Sequence, residues 1–230
     1  NVGLNIGTLL GPPVTGFFID TYYNDTEYLS QNQVQPDAVY DQKAFRENAY
    51  KLFDTNLLYT PWNKLYLRAY IDGKGLRFPQ TIWDDFPFNL SVIRDVEKVV
   101  VSSKQYYHFM RARADSETAK YVPAMYQKRE DEHGWMLDLY QHWGIQDGPS
   151  MEMVARRYVE RLVGCVENVT NEKCQLPKEE KKKQIAVMIR SDNAKTCLKL
   201  ARPRSTMMKT MLVPIKWGNV SLTMLESRVI

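Results

Sequence analysis

A carboxylate and an imidazole stand three residues apart in the segment Glu130-Asp131-Glu132-His133. Residues at this spacing share one face of a helix, and di-iron helical bundles use a Glu-x-x-His pair in this way to bind metal. Those bundles need the motif twice, and it occurs once here. The spacing therefore predicts a solvated acidic helix face and no metal site. Glu130 with His133 stays the best candidate pair for an enzyme of unfamiliar type.

Other patterns that carry catalysis are missing from the sequence. There is no Gly-x-Gly-x-x-Gly, no phosphate-binding P-loop and no Gly-x-Ser-x-Gly. The three cysteines, Cys165, Cys174 and Cys197, have no paired Cys-x-x-Cys spacing and are distant in sequence from any histidine. We therefore expect no catalytic residue, no cofactor and no bound metal. The odd number of cysteines is typical of a reducing compartment.

The strongest chemical signal is positive charge at the end of the chain. The net charge is +4, yet residues 176–230 carry 12 Lys and Arg against 4 Asp and Glu. Clustered cations bind polyanions by releasing counterions from phosphates, so the segment predicts contact with a polyanion such as RNA. A solvated basic helix, or an adaptor that binds one acidic protein, is the alternative. The candidate RNA contacts are Lys181, Lys182, Lys183, Arg190, Lys195, Lys199, Arg202, Arg204 and Lys209.

Three segments are expected to present these residues. Residues 1–37 are rich in Gly, Pro and aromatic side chains without a sustained period, which predicts an extended arm. Residues 38–175 predict a helical core, and residues 176–230 a basic C-terminal extension. The expected fold class is mainly α, a small helical bundle with an extended N-terminal arm.

Apolar spacing of three and four residues defines the expected helical core. Such spacing from Val92 to Ala114 predicts one continuous helix, and a second helix follows from Ser116 to Gly144. Because almost nothing separates them, they are expected to form a helical hairpin. A third helix is expected to open at Gly148-Pro149-Ser150 and pack on this hairpin. Residues 207–230 predict short strands.

Several segments resemble the mitochondrion-specific small-subunit ribosomal protein family numbered twenty-three. The resemblance covers about residues 45–144 and implies a protein without catalytic residues on the body of the mitochondrial small ribosomal subunit. Its neighbours would be other subunits and rRNA. The matching positions are Phe45-Arg46 with Tyr50, Pro61-Trp62, Trp83, Val92-Ile93-Arg94, Lys104-Gln105-Tyr106 and the acidic helix from Gln127 to Glu132.

A second resemblance covers about twenty residues. Leu67-Arg68-Ala69, Phe78-Pro79 and Trp83 look like the small helical subunit of ubiquinol–cytochrome c reductase. No stretch reaches the roughly 18 apolar residues of a membrane span. The expected function is thus a non-catalytic structural subunit of a large assembly, in the mitochondrial matrix or on the matrix side of the inner membrane. Accessory subunit of a respiratory complex, adaptor and unfamiliar enzyme are the alternatives.

Overall fold

A computed structural model of the chain describes residues 14–22, 28–31, 35–81, 83–110 and 121–227. For residues 17–22, 28–31, 105 and 107–110 it describes the backbone alone. The chain divides into two compact units. The sheet unit comprises residues 1–114 and 138–145, and the helical unit comprises residues 115–137 and 146–230.

Five strands form one mixed sheet in the sheet unit. They are β1 (Val14–Tyr22), β2 (Tyr28–Gln31), β3 (Ala38–Asp41), β4 (Lys64–Tyr66) and β5 (Lys98–Met110). The spatial order is β2-β1-β5-β3, and β4 also pairs with β1. Strands β1 and β5 run parallel, whereas the other pairs are antiparallel. The parallel pair lies at the centre, as expected for strands that are buried on both faces.

The β1–β5 pair forms the apolar floor of the sheet unit. Val14 lies opposite Val99, and both side chains are buried, as is Val101 two residues further along β5. On β1, Gly16 lies against Leu57, because a Cβ built on Gly16 would sit 3.3 Å from the Leu57 side chain. The missing side chain therefore lets the turn after the first helix approach the strand closely.

Three helices of the sheet unit connect these strands. They are α1 (Gln42–Asp54), α2 (Arg68–Gly73) and α3 (Asp85–Arg94). Asp41 is the N-cap residue of α1, and its Oδ1 accepts a hydrogen bond of 2.8 Å from the Ala44 amide. One stripe of α1 is buried, and Phe53 from that stripe meets Phe86 of α3 edge to face.

Helices make up the described part of the helical unit. They are α4 (Met125–Trp143), of which residues 138–143 belong to the sheet unit, α5 (Gly148–Thr170), α6 (Lys178–Arg190), α7 (Asp192–Leu200), α8 (Thr206–Lys216) and α9 (Val220–Glu226). Helix α5 is the central one, because its apolar stripe from Ala155 to Val169 packs against buried residues of α6, α7, α8 and α9. Asp147 caps it, and Pro149 lies in its first turn; the sequence predicted that this helix opens at Gly148-Pro149-Ser150.

The predicted fold class, a small helical bundle with a helical hairpin, is wrong. The segment from Val92 to Ala114 contains the end of α3 and the long strand β5. Its valines do not alternate because Val99, Val100 and Val101 of β5 are all buried, and such a run cannot be distinguished from a helix by periodicity. The predicted arm contributes the central strand β1, and the strands predicted within residues 207–230 are the helices α8 and α9.

Two further expectations concern the organisation of the chain. The division into segments at residues 38 and 176 stays a prediction. Within the described residues, no helix is both long enough and apolar enough to span a bilayer.

Candidate active site

Strand β4 begins with a lysine that is almost completely buried. Lys64 is 6% exposed, and its Nζ donates a hydrogen bond of 2.8 Å to Oδ1 of Asn63 and another to the Thr60 carbonyl. Burial lowers the pKa of the Lys64 ammonium well below its usual range, and the charge of Asp85 acts in the opposite direction. A buried lysine is costly to the fold, so it marks a position of functional interest.

A tyrosine and an asparagine connect β4 to α3. The Tyr66 hydroxyl donates a hydrogen bond of 2.6 Å to Oδ1 of Asn89, which is fully buried. The Asn89 amide donates in turn to the carbonyls of Tyr59 and Asp85. Burial, and secondly the charge of Asp85, raise the pKa of the Tyr66 hydroxyl. Tyr66 therefore stays protonated and holds the first turn of α3 against the strand.

Two adjacent carboxylates stand at the start of α3. Asp84 is the N-cap residue and Asp85 is the first residue of the helix, and both are partly exposed. Partial burial raises the pKa of the Asp85 carboxyl, the neighbouring charge of Asp84 raises it further, and the charge of Lys64 lowers it. Asp85 is thus a carboxylate that binds a proton more strongly than a surface aspartate does.

The residue before this pair has an unusual backbone conformation. Trp83 has φ of +55°, in the left-handed region that bulky residues avoid. Such strain is found at functional sites more often than elsewhere. The strained residue directs the chain into Asp84 and Asp85, so the surrounding structure determines where the two carboxylates lie.

Stacked aromatic rings fix α3 in place behind the carboxylates. Phe86 stacks on Tyr59 with ring centroids 4.6 Å apart, and Phe88 stacks on Phe78 at 3.9 Å. Tyr66 meets Phe88 edge to face at 5.8 Å. These contacts come from three different segments, so the position of Asp85 depends on the tertiary structure of the sheet unit.

We call Lys64, Tyr66, Asp84, Asp85 and Asn89 the polar cluster. Its chemistry is that of a proton acceptor, because a carboxylate with a raised pKa can take a proton from a hydroxyl that reacts beside it. The sequence pattern predicts none of these five residues as site residues. The available signal was the pair Asp84-Asp85 directly before an apolar helix, which is typical of a helix N-terminus.

The pair Glu130 and His133 lies in the helical unit, within a hydrogen-bonded network. The Tyr158 hydroxyl donates a hydrogen bond of 2.5 Å to one oxygen of Glu130, and the Asn193 amide donates to the other at 2.7 Å. The His133 ring packs on the Tyr158 ring with centroids 4.5 Å apart. Glu130 is therefore a structural acceptor that joins α4 to α5 and α7.

In the structure, Cys197 lies beside His133, although the two residues are 64 positions apart in sequence. Sγ of Cys197 lies 3.6 Å from Nε2 of His133, and both side chains are buried. Burial raises the pKa of the Cys197 thiol to about 12 and lowers the pKa of the His133 imidazole. A nucleophilic cysteine needs the opposite shift, so this pair is a packed contact.

The candidate RNA contacts are distributed over three helices and a connecting segment of the helical unit. Lys181 is buried, whereas Lys182 and Lys183 pair with Glu179 and Glu180 on the same helix. Arg190 donates to the Gly218 carbonyl, and Lys195 pairs with Asp192. The remaining four, Lys199, Arg202, Arg204 and Lys209, are exposed. Their role as RNA contacts stays a prediction.

The structure describes the side chain of one of the two remaining histidines. Nε2 of His142 lies 2.7 Å from Oδ1 of Asp95 in the sheet unit. His108 falls outside the side chains that the structure describes. In the part of the chain that is described, no group of three or more His, Cys, Asp or Glu side chains is arranged to hold a metal ion.

The chain is similar in sequence to a curated protein and in fold to a solved structure. No protein-family model matches the chain. The chain is 24% identical over 115 residues to the uncharacterized glycosyltransferase EpsJ of Bacillus subtilis (strain 168), a match that covers 49% of this chain and 33% of EpsJ. Its fold is similar to that of TarS 1-349 of S. aureus, solved in complex with UDP-GlcNAc, with a TM-score of 0.53 and 12% identity. That match covers 95% of this chain and 59% of the TarS chain.

These findings correct the predicted identity and function. The resemblances to a mitochondrial ribosomal protein and to a respiratory-complex subunit are wrong, because the fold is similar to that of TarS over 95% of the chain. The predicted non-catalytic structural role, the predicted neighbouring subunits and the predicted rRNA partner are therefore wrong as well. The alternative of an enzyme agrees better with the similarity to a protein named as a glycosyltransferase. The predicted mitochondrial location is tested by none of this and stays a prediction.

Proposed function

We propose that this protein is a glycosyltransferase that moves a sugar from a nucleotide-sugar donor to a hydroxyl group of an acceptor. The observation that carries the proposal is the Asp85 carboxylate, with its raised pKa, at the start of α3. It is supported by the fold similarity to TarS 1-349, whose structure contains UDP-GlcNAc, and by the sequence similarity to EpsJ. A sugar transfer needs a proton acceptor for the attacking hydroxyl, and Asp85 has the properties of one.

In the proposed reaction, the acceptor oxygen forms a new bond to the anomeric carbon of the donor sugar. The bond between that carbon and the diphosphate oxygen breaks, and the nucleoside diphosphate leaves with the electron pair. The proton of the acceptor hydroxyl passes to the Asp85 carboxylate. Partial burial of Asp85 strengthens its affinity for this proton, because the charged form is poorly solvated.

The other members of the polar cluster position the base. Tyr66 and Asn89 fasten the first turn of α3 to β4, and Asn89 bonds to the Asp85 carbonyl itself at 2.9 Å. Lys64 supplies a buried positive charge that limits the rise in the Asp85 pKa. The charge of Lys64 therefore favours the ionised form of Asp85, which is the form that accepts the proton.

The experiment compares Asp85→Asn with Asp72→Asn. Asp72 is an exposed aspartate of the same unit, paired with Arg68 at 3.3 Å and with Arg77 at 3.7 Å. Release of UDP from UDP-GlcNAc and other UDP-sugars is measured with a mixture of hydroxyl acceptors, and donor binding is measured by calorimetry. We expect Asp85→Asn to lower turnover by about 10²–10⁴-fold with donor affinity retained, and Asp72→Asn to leave both unchanged.

Asp84→Asn separates the roles of the two adjacent carboxylates. If Asp84 acts only through its charge on Asp85, the variant retains turnover at neutral pH and shifts the acidic limb of its pH profile to lower pH. A protein that binds no nucleotide-sugar, or an Asp85→Asn variant with normal turnover, would show that the proposal is wrong.

A further inference from the structure

A groove in the helical unit is lined by four cations and one exposed tryptophan. It encloses about 450 Å³ between the ends of α6, α7 and α8. The apolar floor is made by Ile189, Leu198 and Ile215. We call this the basic groove; its rim residues are Arg190, Lys195, Lys199, Lys216 and Trp217.

A hydrogen bond and a tight turn hold the rim of the groove in place. Nη2 of Arg190 donates a hydrogen bond of 3.0 Å to the carbonyl of Gly218. Gly218 has φ of +63°, which favours glycine, and it reverses the chain between α8 and α9. This turn places Trp217 at the rim with 72% of its surface exposed. The exposed ring of Trp217 is therefore available to contact a ligand in the groove.

Three of the four cations of the groove have no acidic partner among the described ion pairs. The acidic side chains of the helical unit that the structure describes do not line it, and Lys199 and Lys216 belong to none of the described ion pairs. Lys195 pairs with Asp192 at 3.0 Å, but both side chains are largely exposed, so that pair is weak. The groove therefore attracts an anion.

We propose that the basic groove binds an anionic polysaccharide whose sugar units carry phosphate or carboxylate groups. The cations match the charged groups, and the exposed face of Trp217 matches the apolar face of a sugar ring. A pocket of this size holds a few sugar units. A single-stranded nucleic acid is usually bound by several aromatic platforms along a track, and the groove has one.

This inference goes beyond the proposed function, because the groove lies in the helical unit and the polar cluster lies in the sheet unit. The choice of a polysaccharide over other polyanions rests on the proposed sugar transfer, since a transferase can hold a long acceptor at a second place. Binding in the groove is nevertheless measurable without any transfer.

The test measures binding of defined polymers by calorimetry at two salt concentrations. The probes are polygalacturonate for carboxylate, phosphorylated dextran for phosphate, neutral dextran, polyuridylate and polyglutamate. We expect one of the two anionic glycans to bind, and binding to weaken as salt rises. The variant Lys199→Ala/Lys216→Ala should lose about tenfold in affinity, and Trp217→Ala about fivefold.

The matched control is Lys183→Ala/Lys209→Ala, which removes the same charge from exposed positions elsewhere in the helical unit. It should change affinity by less than about twofold. An equal loss of affinity in the control variant would show that binding depends on nonspecific charge, and it would overturn the proposal. So would the absence of glycan binding, or tighter binding of polyuridylate or polyglutamate through the same residues. Donor binding at the polar cluster, measured on the same samples, reports separately on the proposed function.

Discussion

The phenol of Tyr66 and the amide of Asn89 join β4 to α3 through a hydrogen bond of 2.6 Å. Asn89 is fully buried, and its amide also donates to the carbonyls of Tyr59 and Asp85. One side chain thus connects α3 to β4 and to the turn that contains Tyr59. The stability of the polar cluster depends on this network, because a buried polar group without a partner is costly.

Removal of the Tyr66 hydroxyl and removal of the Asn89 amide should destabilise the sheet unit by different amounts. Tyr66→Phe removes one hydrogen bond and should cost about 1–2 kcal/mol, whereas Asn89→Ala leaves several buried groups unpaired and should cost about 2–4 kcal/mol. Urea unfolding measures both. Because the residues share one bond, the double variant should cost less than the two single variants together. Strict additivity would show that the bond contributes nothing.

The pH dependence of transfer should report the raised pKa of Asp85. The base must be ionised to accept a proton, so turnover should rise with pH through a pKa above the ordinary aspartate value of about 3.9. The rise should be absent from the residual activity of Asp85→Asn. A limb at or below the ordinary value, in assays corrected for unfolding, would contradict this assignment.

Asp85→Asn should also preserve or raise stability at neutral pH. Because the folded state raises the pKa of Asp85, it favours the protonated form. The contribution of this group therefore favours folding at low pH and is lost as pH rises through the folded pKa. Thermal unfolding at pH 7 should place the midpoint of Asp85→Asn at or above that of the unmodified protein. A clearly lower midpoint would indicate that ionised Asp85 stabilises the fold.

His133 should make the helical unit sensitive to acid. Burial lowers the pKa of the His133 imidazole, so the unfolded chain binds a proton at a higher pH than the folded chain does. Stability is then fully present above the unfolded pKa of about 6.5 and decreases below it, by at most about 1.4 kcal/mol per pH unit. The groups that face His133 are Tyr158, Cys197 and, through its charge, Glu130.

The variant His133→Gln isolates that effect. The variant should lose less stability than the unmodified protein between about pH 6.5 and pH 5. The free energy of unfolding in urea, with the unfolding of α5 as the signal, measures this loss. His142→Gln is the control, since His142 is half-exposed beside Asp95 in the sheet unit. If the two variants show the same pH dependence, His133 is not the source of the acid sensitivity.

The cysteines should be inert in the folded protein. Cys165, Cys174 and Cys197 are all buried and free, and burial raises the pKa of the Cys165 and Cys197 thiols to about 12. Thiolate is the reactive form, so a chromogenic disulfide reagent should label these thiols only slowly at pH 8. All three should react at once in denaturant. Rapid labelling of Cys197 in the folded protein would reopen its pairing with His133 as a reactive site.

Gly16 should tolerate no side chain without rearrangement. A Cβ at this position would lie 3.3 Å from the Leu57 side chain, so Gly16→Ala should cost about 1 kcal/mol and Gly16→Val about 2–3 kcal/mol. Gly73→Ala is the matched control, because no atom lies within 4 Å of its added Cβ. Equal effects of the Ala substitutions at the two positions would show that the contact with Leu57 is not tight.

Several elements could be predicted from the sequence because their signals are local. The helix that begins after Asp147 has its cap and its first-turn proline within four residues, and its apolar stripe repeats regularly. Helix α1 also has a local cap, Asp41, and a buried apolar stripe, although it has no proline in its first turn. The concentration of positive charge after residue 176 was also visible, since charge is a property of composition.

The sheet and the polar cluster could not be predicted, because they depend on pairing between distant residues. The sequence around Val99 is compatible with a helix or a strand. Only its pairing with β1, some 85 residues earlier in the chain, makes it a strand. Asp85 acquires its raised pKa only where the fold partly buries it beside Asp84, and His133 meets Cys197 only in the packed helical unit. The sequence by itself determined the capped helices and the basic segment. The tertiary structure decided which side chains are buried together, and burial is what sets their chemistry.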